Sequence, residues 1–460
     1  MRELPAKISL EEWGRRCRSH AAGDDGRRSY TTSLTKHVDD GDTRLRQLQF
    51  DASIASLRLW NLLLSEEERL HAARRGGHTL IGVMKDLGTV PIIAYACDRV
   101  TAFYPDGAWW TPCIMEASAD SLRAADAAGI DESFCPVRAM LGAFVTGEHF
   151  PKPDLLTCSV GATCDDVTAI AERIADLGHD VFWWEMPHRR RPDPGDSAVE
   201  LPDGSLAPAG QVAFVQSELE RVRQVIESVS SQRITDQALA ASIERANHVR
   251  GLIAELRRLC FTAAACPLPA LELLIAEMLA LHFCSDPTGS AEILTELLDE
   301  VRRRVRDGVG VLPRDNVPIY WVNPVADLRV MNLLEDCGGR ICGTEYLISH
   351  ALTPIPPDLP PMEALARTAL ADPMVGSAHD RAAMIARQVE TLGSRAVIVS
   401  RIPGASHCAT EGLIIAEHIR SRLSLPVIEI EVPPISDGMR QTLRSRIEAA
   451  VEVARNGGKA

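Results

Sequence analysis

Three cysteines of this chain share a local setting that favours the thiolate. Cys135 stands immediately before Pro136, and because proline is a preferred first helical residue, CPVRAMLGAF is predicted to open a helix. Cys164 follows the apolar run LLTCSV and precedes DDVTAIAERIADLG, and Cys408 lies in the same way between AVIVSRI and ATEGLIIAEHI. A helix N-terminus offers free N–H groups and the positive end of the helix dipole, which stabilise a thiolate over a thiol. Three such thiolates brought together suit a soft metal or an iron–sulfur cluster, and three ligands leave a further position open to substrate. A plainer reading stands beside this one: a lone cysteine in an α/β protein packs as a small hydrophobe. No Cys-x-x-Cys pair is present, and Cys408 is far along the chain from Cys135 and Cys164.

The elements that must position these thiols are an alternation of strands and helices. LLTCSV and VFWWEMP are apolar without alternation, as in buried parallel strands. The Ala-rich helices ADSLRAADAAG and DDVTAIAERIADLG each run into a Gly that suits a C-cap. Further on, strands VPIYWVNP, GRICGTEYL, AVIVSRI and PVIEIEV alternate with helices VADLRVMNLLEDCG, HDRAAMIARQVETLG, ATEGLIIAEHIRSRL and GMRQTLRSRIEAAVEVAR, broken by the Pro-rich TPIPPDLPP. That alternation predicts βαβ crossovers and a parallel sheet, with ligands at the loops that leave the carboxyl ends of the strands. The fold class is therefore α/β: two Rossmann- or flavodoxin-like parallel-sheet units, copies of one plan, joined by a helical segment and preceded by a helical N-terminal region. The expected division is an N-terminal arm and helical region over 1–78, a first α/β domain over 79–210, a helical connecting segment over 211–308 and a second α/β domain over 309–460. Residues 1 to about 45 read as a loose arm, residues 45–75 as one amphipathic helix, and HRRRPDPGDSAVELPDGSLAPAG as a connector.

At 460 residues the chain exceeds a single core, and 46% hydrophobic with 24% charged residues is ordinary for a globular protein. A net charge of −14 opposes nucleic acid or an anionic membrane as partner, since both need a basic face. No apolar run reaches the roughly 18 residues of a membrane span, and MRELPAKISLEEWGRRCRSH has no apolar signal core. A cytoplasmic location is expected, where the twelve cysteines stay reduced rather than forming a disulfide framework.

Several segments, in order, resemble the 2-hydroxyacyl-CoA dehydratase and benzoyl-CoA reductase family, in particular a D-component-like subunit. SFCPVRAMLGAF and PDLLTCSVGATCDDVTAIAERIADLGHDVFWWEMP are similar to its two N-terminal cysteine blocks. ITDQALAASIERANHVRGLIAELRRL, with Asn247 and Arg250, is similar to its linker, and VPIYWVNPVADLRVMNLLEDCGGRICGTEYL to the opening of its second domain. SRIPGASHCATEGLIIAEHIRSRLSLPVIEIEVPP followed by TLRSRIEAAVE is similar to its C-terminal block, so the likeness runs from about residue 80 to 455. The resemblance implies that Cys135, Cys164 and Cys408 ligate a [4Fe-4S] cluster whose open iron faces an acyl-CoA thioester. It also implies a paralogous second subunit and an ATP-dependent iron–sulfur activator protein that delivers one low-potential electron. The reaction implied is ketyl-radical elimination of water from a 2-hydroxyacyl-CoA. Benzoyl-CoA-type or double-cubane reduction is the rival within the same chemistry, and a non-catalytic structural subunit is the rival outside it.

Two departures from the family pattern are visible. Where the dehydratases commonly carry Pro-Glu-Glu, this chain has Pro91-Ile92-Ile93, which removes carboxylates that would handle the substrate hydroxyl or proton. The third cysteine block reads Ser406 to Glu411 (SHCATE), with His407 beside the cysteine as a hydrogen-bond donor, an alternative ligand or neither. Glu116 is the candidate replacement carboxylate, or simply a helix-entry residue. Arg189, Arg190 and Arg191 can grip CoA phosphates or form a solvated loop, and Trp109-Trp110 and Trp183-Trp184 can serve as adenine platforms or as core. Cys158, Cys260, Cys266 and Cys284 are read as packing residues, Cys17 as incidental, and Cys337 with Cys342 as a turn-flanking pair with a possible second metal role.

Overall fold

The computed structural model describes residues 7–20, 30–39, 43–86, 88–107, 118–282, 285–346, 349–433 and 437–456. The N-terminal region holds α1 (Leu10–His20), α2 (Thr35–Asp39), a 3-10 turn (Thr43–Gln47), α3 (Ile54–Leu64) and α4 (Glu66–Arg75). The described part of residues 1–45 is packed rather than loose. Ile8 bridges Phe50 in antiparallel fashion, and Trp13, Leu34 and Leu45 are fully buried. The single helix expected over 45–75 is also corrected: Ser53 caps α3 by accepting from the Ser56 N–H, and the chain breaks again at Ser65 before α4. Serines compete for backbone hydrogen bonds and so start or stop helices rather than continue them.

The first sheet unit comprises β1 (Thr79–Met84), α5 (Val90–Ala94), β2 (Val100–Phe103), α6 (Ser118–Ala127), a 3-10 turn (Pro136–Arg138) leading into α7 (Ala139–Thr146), β3 (Leu155–Gly161), α8 (Asp165–Asp176) and β4 (Val181–Met186). Its four strands are parallel in the order β2-β1-β3-β4. A small antiparallel hairpin, β5 (Ala198–Glu200) with β6 (Leu206–Pro208), interrupts the expected connector. Then come four helices, α9 (Ala209–Ser230), α10 (Asp236–Thr262), α11 (Ala270–His282) and α12 (Pro287–Asp307).

The second unit is β7 (Val317–Val322), α13 (Arg329–Asp336), β8 (Gly339–Glu345), α14 (Pro361–Leu370), α15 (Ala378–Thr391), β9 (Ala396–Arg401), α16 (Ser406–Arg422), β10 (Val427–Glu431) and α17 (Asp437–Asn456). Its sheet, also parallel, is ordered β10-β9-β7-β8. Read from its other edge this is second, first, third, fourth strand, the same order as the first sheet, so the expected two copies of one plan are present. Both faces are covered, as a parallel sheet requires. Tyr320, Val322, Val397 and Val399 pack on α15 and α16, while Ile319, Trp321 and Ile398 face the main core.

Candidate functional site

In this strand order the chain reverses its direction of winding between the first and third strands, and ligands bind in the crevice outside the carboxyl ends at that point. Cys164 follows β3 and Cys408 follows β9, the third strand of each unit. The residues leaving the first strands are equivalent too: Lys85 after β1 and Asn323 after β7 both adopt left-handed backbone, with φ of 52° and 69°, and Thr163 before Cys164 has φ 74°. Left-handed non-glycine residues are uncommon and gather where the surrounding structure enforces them, often at functional sites.

Cys164 is the N-cap of α8 with extended backbone, and Cys135 is the N-cap of the Pro136–Arg138 turn, as Pro136 at the first position predicts. Cys135 is buried among Met84, Met140, Ala326, Ile402 and Ala405, whereas Cys164 is half-buried. Cys408 is the third residue of α16; its side chain and those of His407 and Ala409 lie outside the described residues.

Three contacts bring the cysteine segments together. The Asp166 carboxylate accepts from the Ser406 backbone N–H at 3.0 Å and from the Ser406 hydroxyl at 3.1 Å. The Cys164 thiol points to the same Asp166 oxygen at 3.9 Å. Gly404 lies so close to the Phe134 carbonyl that a Cβ would overlap it, which presses the loop before Cys408 onto the residue before Cys135. Lys85 adds charge beside them, donating to Thr168 Oγ1 at 2.9 Å. Burial pushes its ammonium down, against the pull of Cys158, Asp165 and Cys164. Thiols at two helix entries, with a third cysteine segment in contact with them, are the donor type that a thiolate-bound cluster takes. Among the described side chains no group of three or more His, Cys, Asp or Glu residues is arranged to hold a metal ion, and Cys408 is not among those side chains.

Other candidates are placed elsewhere. Pro91, Ile92 and Ile93 are buried in α5, and the nearby Asp86 is engaged by the Thr89 and Val90 N–H groups and by the Thr89 and Tyr104 hydroxyls. Glu116, Trp109, Trp110 and Cys284 lie outside the described residues, as does the side chain of Cys17. Arg189 donates to the Leu370 carbonyl, Arg190 pairs with Asp193 and Asp196, and Arg191 pairs with Asp380. Arg189 and Arg191 also line a cleft of about 830 Å³ beside the hairpin. Trp184 is core and Trp183 packs on the cluster that holds Cys135. Burial pushes the Cys158 and Cys266 thiols up to about 12, and Cys260 is buried in α10. Cys342 lies within β8 with its thiol 3.1 Å from Ser394 Oγ, Cys337 is the C-cap of α13, and burial pushes both thiols up to about 11, which opposes metal ligation.

The residues that sequence reasoning missed are Asp166, Lys85, Gly404 and the Arg381 group. Arg381, wholly buried, donates to Glu345, Asn323 and Glu411 and so ties α16 to the ends of β7 and β8. The Pro403-Gly404 turn was the only local signal; the partners of Asp166 and Arg381 are too remote in sequence to leave one.

Two doubly wound parallel sheets, with the cysteine-bearing segments that follow their third strands in contact through Asp166 and Ser406, define an α/β protein of two parallel-sheet units. The chain belongs to the 2-hydroxyglutaryl-CoA dehydratase D-component family, whose model matches residues 90–453, in agreement with the resemblance read from the cysteine blocks. The family is a dehydratase-type enzyme component. No curated protein matches the chain. No helix among the described residues is long and apolar enough to cross a membrane.

Proposed function

We propose that this chain is the cluster-bearing subunit of a cytoplasmic 2-hydroxyacyl-CoA dehydratase-type enzyme, with Cys135, Cys164 and Cys408 as ligands of a [4Fe-4S] cluster. Its substrate is an acyl-CoA, and its partners are a paralogous second subunit and an ATP-dependent iron–sulfur activator. The division at about residues 78, 210 and 308 is part of the same reading. The observation that carries it is the convergence of the three cysteine segments through Asp166, Ser406 and Gly404. Such a cluster supplies low-potential one-electron chemistry, and three protein ligands leave one iron open.

The chain's own residues would act around that site. The first-turn N–H groups of α8 stabilise the Cys164 thiolate. Lys85 offsets negative charge beside it. Met84, Met140 and Ile402 form an apolar wall that keeps water from Cys135.

A second reading, a structural subunit serving a catalytic paralogue, is favoured by the buried Pro91-Ile92-Ile93 stretch of α5, which presents no carboxylate. Iron and acid-labile sulfide after anaerobic purification separate the two. Roughly four irons per chain, lost in Cys135→Ser, Cys164→Ser and Cys408→Ser, support the cluster. A well-folded chain without iron, alone and with its partner, leaves the structural subunit. Given iron, turnover of 2-hydroxyacyl-CoA against aromatic acyl-CoA with an activator separates lyase from reductase.

A further inference from the structure

An aspartate in the first turn of a helix ordinarily serves that helix's own N–H groups. Asp166 instead reaches out of α8 to α16. Its Oδ2 accepts both the backbone N–H and the hydroxyl of Ser406, the first residue of α16, at 3.0 and 3.1 Å. The N-cap position of α16 is Ala405, whose side chain cannot accept a hydrogen bond, so an N–H that the helix leaves orphaned is satisfied from the other sheet unit. The carboxylate is 6% exposed, and a charge-assisted bond in that setting is stronger than one in water. Independently, Gly404 has no room for a Cβ against the Phe134 and Glu132 carbonyls, so the segment 402–406 is held from a second side.

We infer that Asp166 is a positioning residue: it caps α16 across the junction of the two sheet units and thereby fixes the Cys408 segment relative to Cys164. The inference rests on the cluster reading above only for the purpose that this spacing serves. The clasp itself is a property of the polypeptide and is testable without metal.

The test uses the full chain as Asp166→Ala, Asp166→Asn and Ser406→Ala. In the metal-free protein, hydrogen exchange of the amides in 403–412 is expected to accelerate roughly 10- to 100-fold in Asp166→Ala, the loss of a hydrogen bond to a charged group. Exchange within β3 stays unchanged, which separates a local release from general unfolding. Asp166→Asn keeps an acceptor and restores slow exchange. Ser406→Ala, which loses the hydroxyl bond but keeps its main-chain N–H, accelerates less than Asp166→Ala. After anaerobic purification, Asp166→Ala is expected to lose at least half of the wild-type iron while Asp166→Asn retains it.

Unchanged exchange in Asp166→Ala overturns the clasp. Accelerated exchange with full iron content overturns its role in spacing the cysteines. A wild-type chain without iron overturns the cluster reading instead, and the exchange contrast then decides the clasp by itself.

Discussion

Glu272 is fully buried on α11, where its Oε1 accepts from the Asp51 N–H at 2.9 Å and from the Trp60 indole N–H at 3.2 Å. Burial, reinforced by the neighbouring Asp51 carboxylate, pushes the Glu272 carboxyl up to about 8. In the unfolded chain a glutamate ionises near 4.3. Between those two values the unfolded state has released the proton and the folded state retains it. Stability therefore falls as pH rises, by up to about 1.4 kcal/mol per pH unit, and levels off above the folded value. Asp51 acts in the opposite sense. Burial raises its carboxyl, but the Arg304 guanidinium at 2.6 Å outweighs that and holds it below the usual range. Its contribution is lost only on strong acidification, outside the Glu272 window. Urea denaturation of the wild type is expected to show a midpoint that declines from pH 6 to pH 8. In Glu272→Gln that decline flattens; an unaltered slope would assign the titration to another group.

At the scale of elements, the entry of α16 is fixed twice, by Asp166 before Cys408 and by Arg381 beyond it. Arg381 on α15 makes a two-pronged contact with Glu345 at the end of β8, at 2.6 and 3.1 Å. It also reaches Asn323 after β7 at 2.8 Å and Glu411 on α16 at 2.6 Å. Burial lowers the guanidinium's pKa, but the two carboxylates outweigh it and keep the charge in place. Arg381→Met leaves Glu345, 2% exposed, without its countercharge, and is expected to destabilise the chain by about 3–5 kcal/mol in urea denaturation. The double variant Arg381→Met with Glu345→Gln is expected to be more stable than the sum of the single losses, since no unpaired charge remains buried. Strict additivity would mean that the pair is not coupled.

At the scale of the whole molecule, the helical segment does more than connect. From α10, Arg250 donates to the Gly88 carbonyl at 3.2 Å in the first sheet unit and to the Thr353 carbonyl at 2.6 Å in the second. One turn earlier, Asn247 exchanges two hydrogen bonds with the Ile355 backbone, at 2.8 and 2.9 Å. Burial pushes the Arg250 guanidinium down to about 10, and the Tyr104 and Asp86 groups oppose that. Arg250→Met removes the tie between the loops of both units. It is expected to lower stability by about 1.5–3 kcal/mol and to speed protease cleavage within 353–360, with cleavage elsewhere unchanged. Cleavage at the wild-type rate would show that Asn247 and the surrounding packing hold the loop without it.

The sequence by itself determined the α/β class, the strands after residue 308, the helical character of the segment over 211–308 and the helix entries at Cys135, Cys164 and Cys408; the division of that segment into four helices came from the structure. These follow from local periodicity, caps and turn residues, which act over a few positions. It left β1, β2 and α14 unseen, because β1 (TLIGVM) and β2 (VTAF) are short apolar runs without a decisive period and α14 follows directly on a Pro-rich stretch. Only the tertiary structure decided that the N-terminal arm is packed and that both sheets share one strand order. It alone placed Asp166 against Ser406, Gly404 against the Phe134 carbonyl and Arg381 against Glu411. The hydrogen bond from Ser406 to Asp166 spans 240 residues, and no local pattern encodes a partner at that distance. The identity of a capping residue is written in the sequence, while the helix that it caps is chosen by the fold.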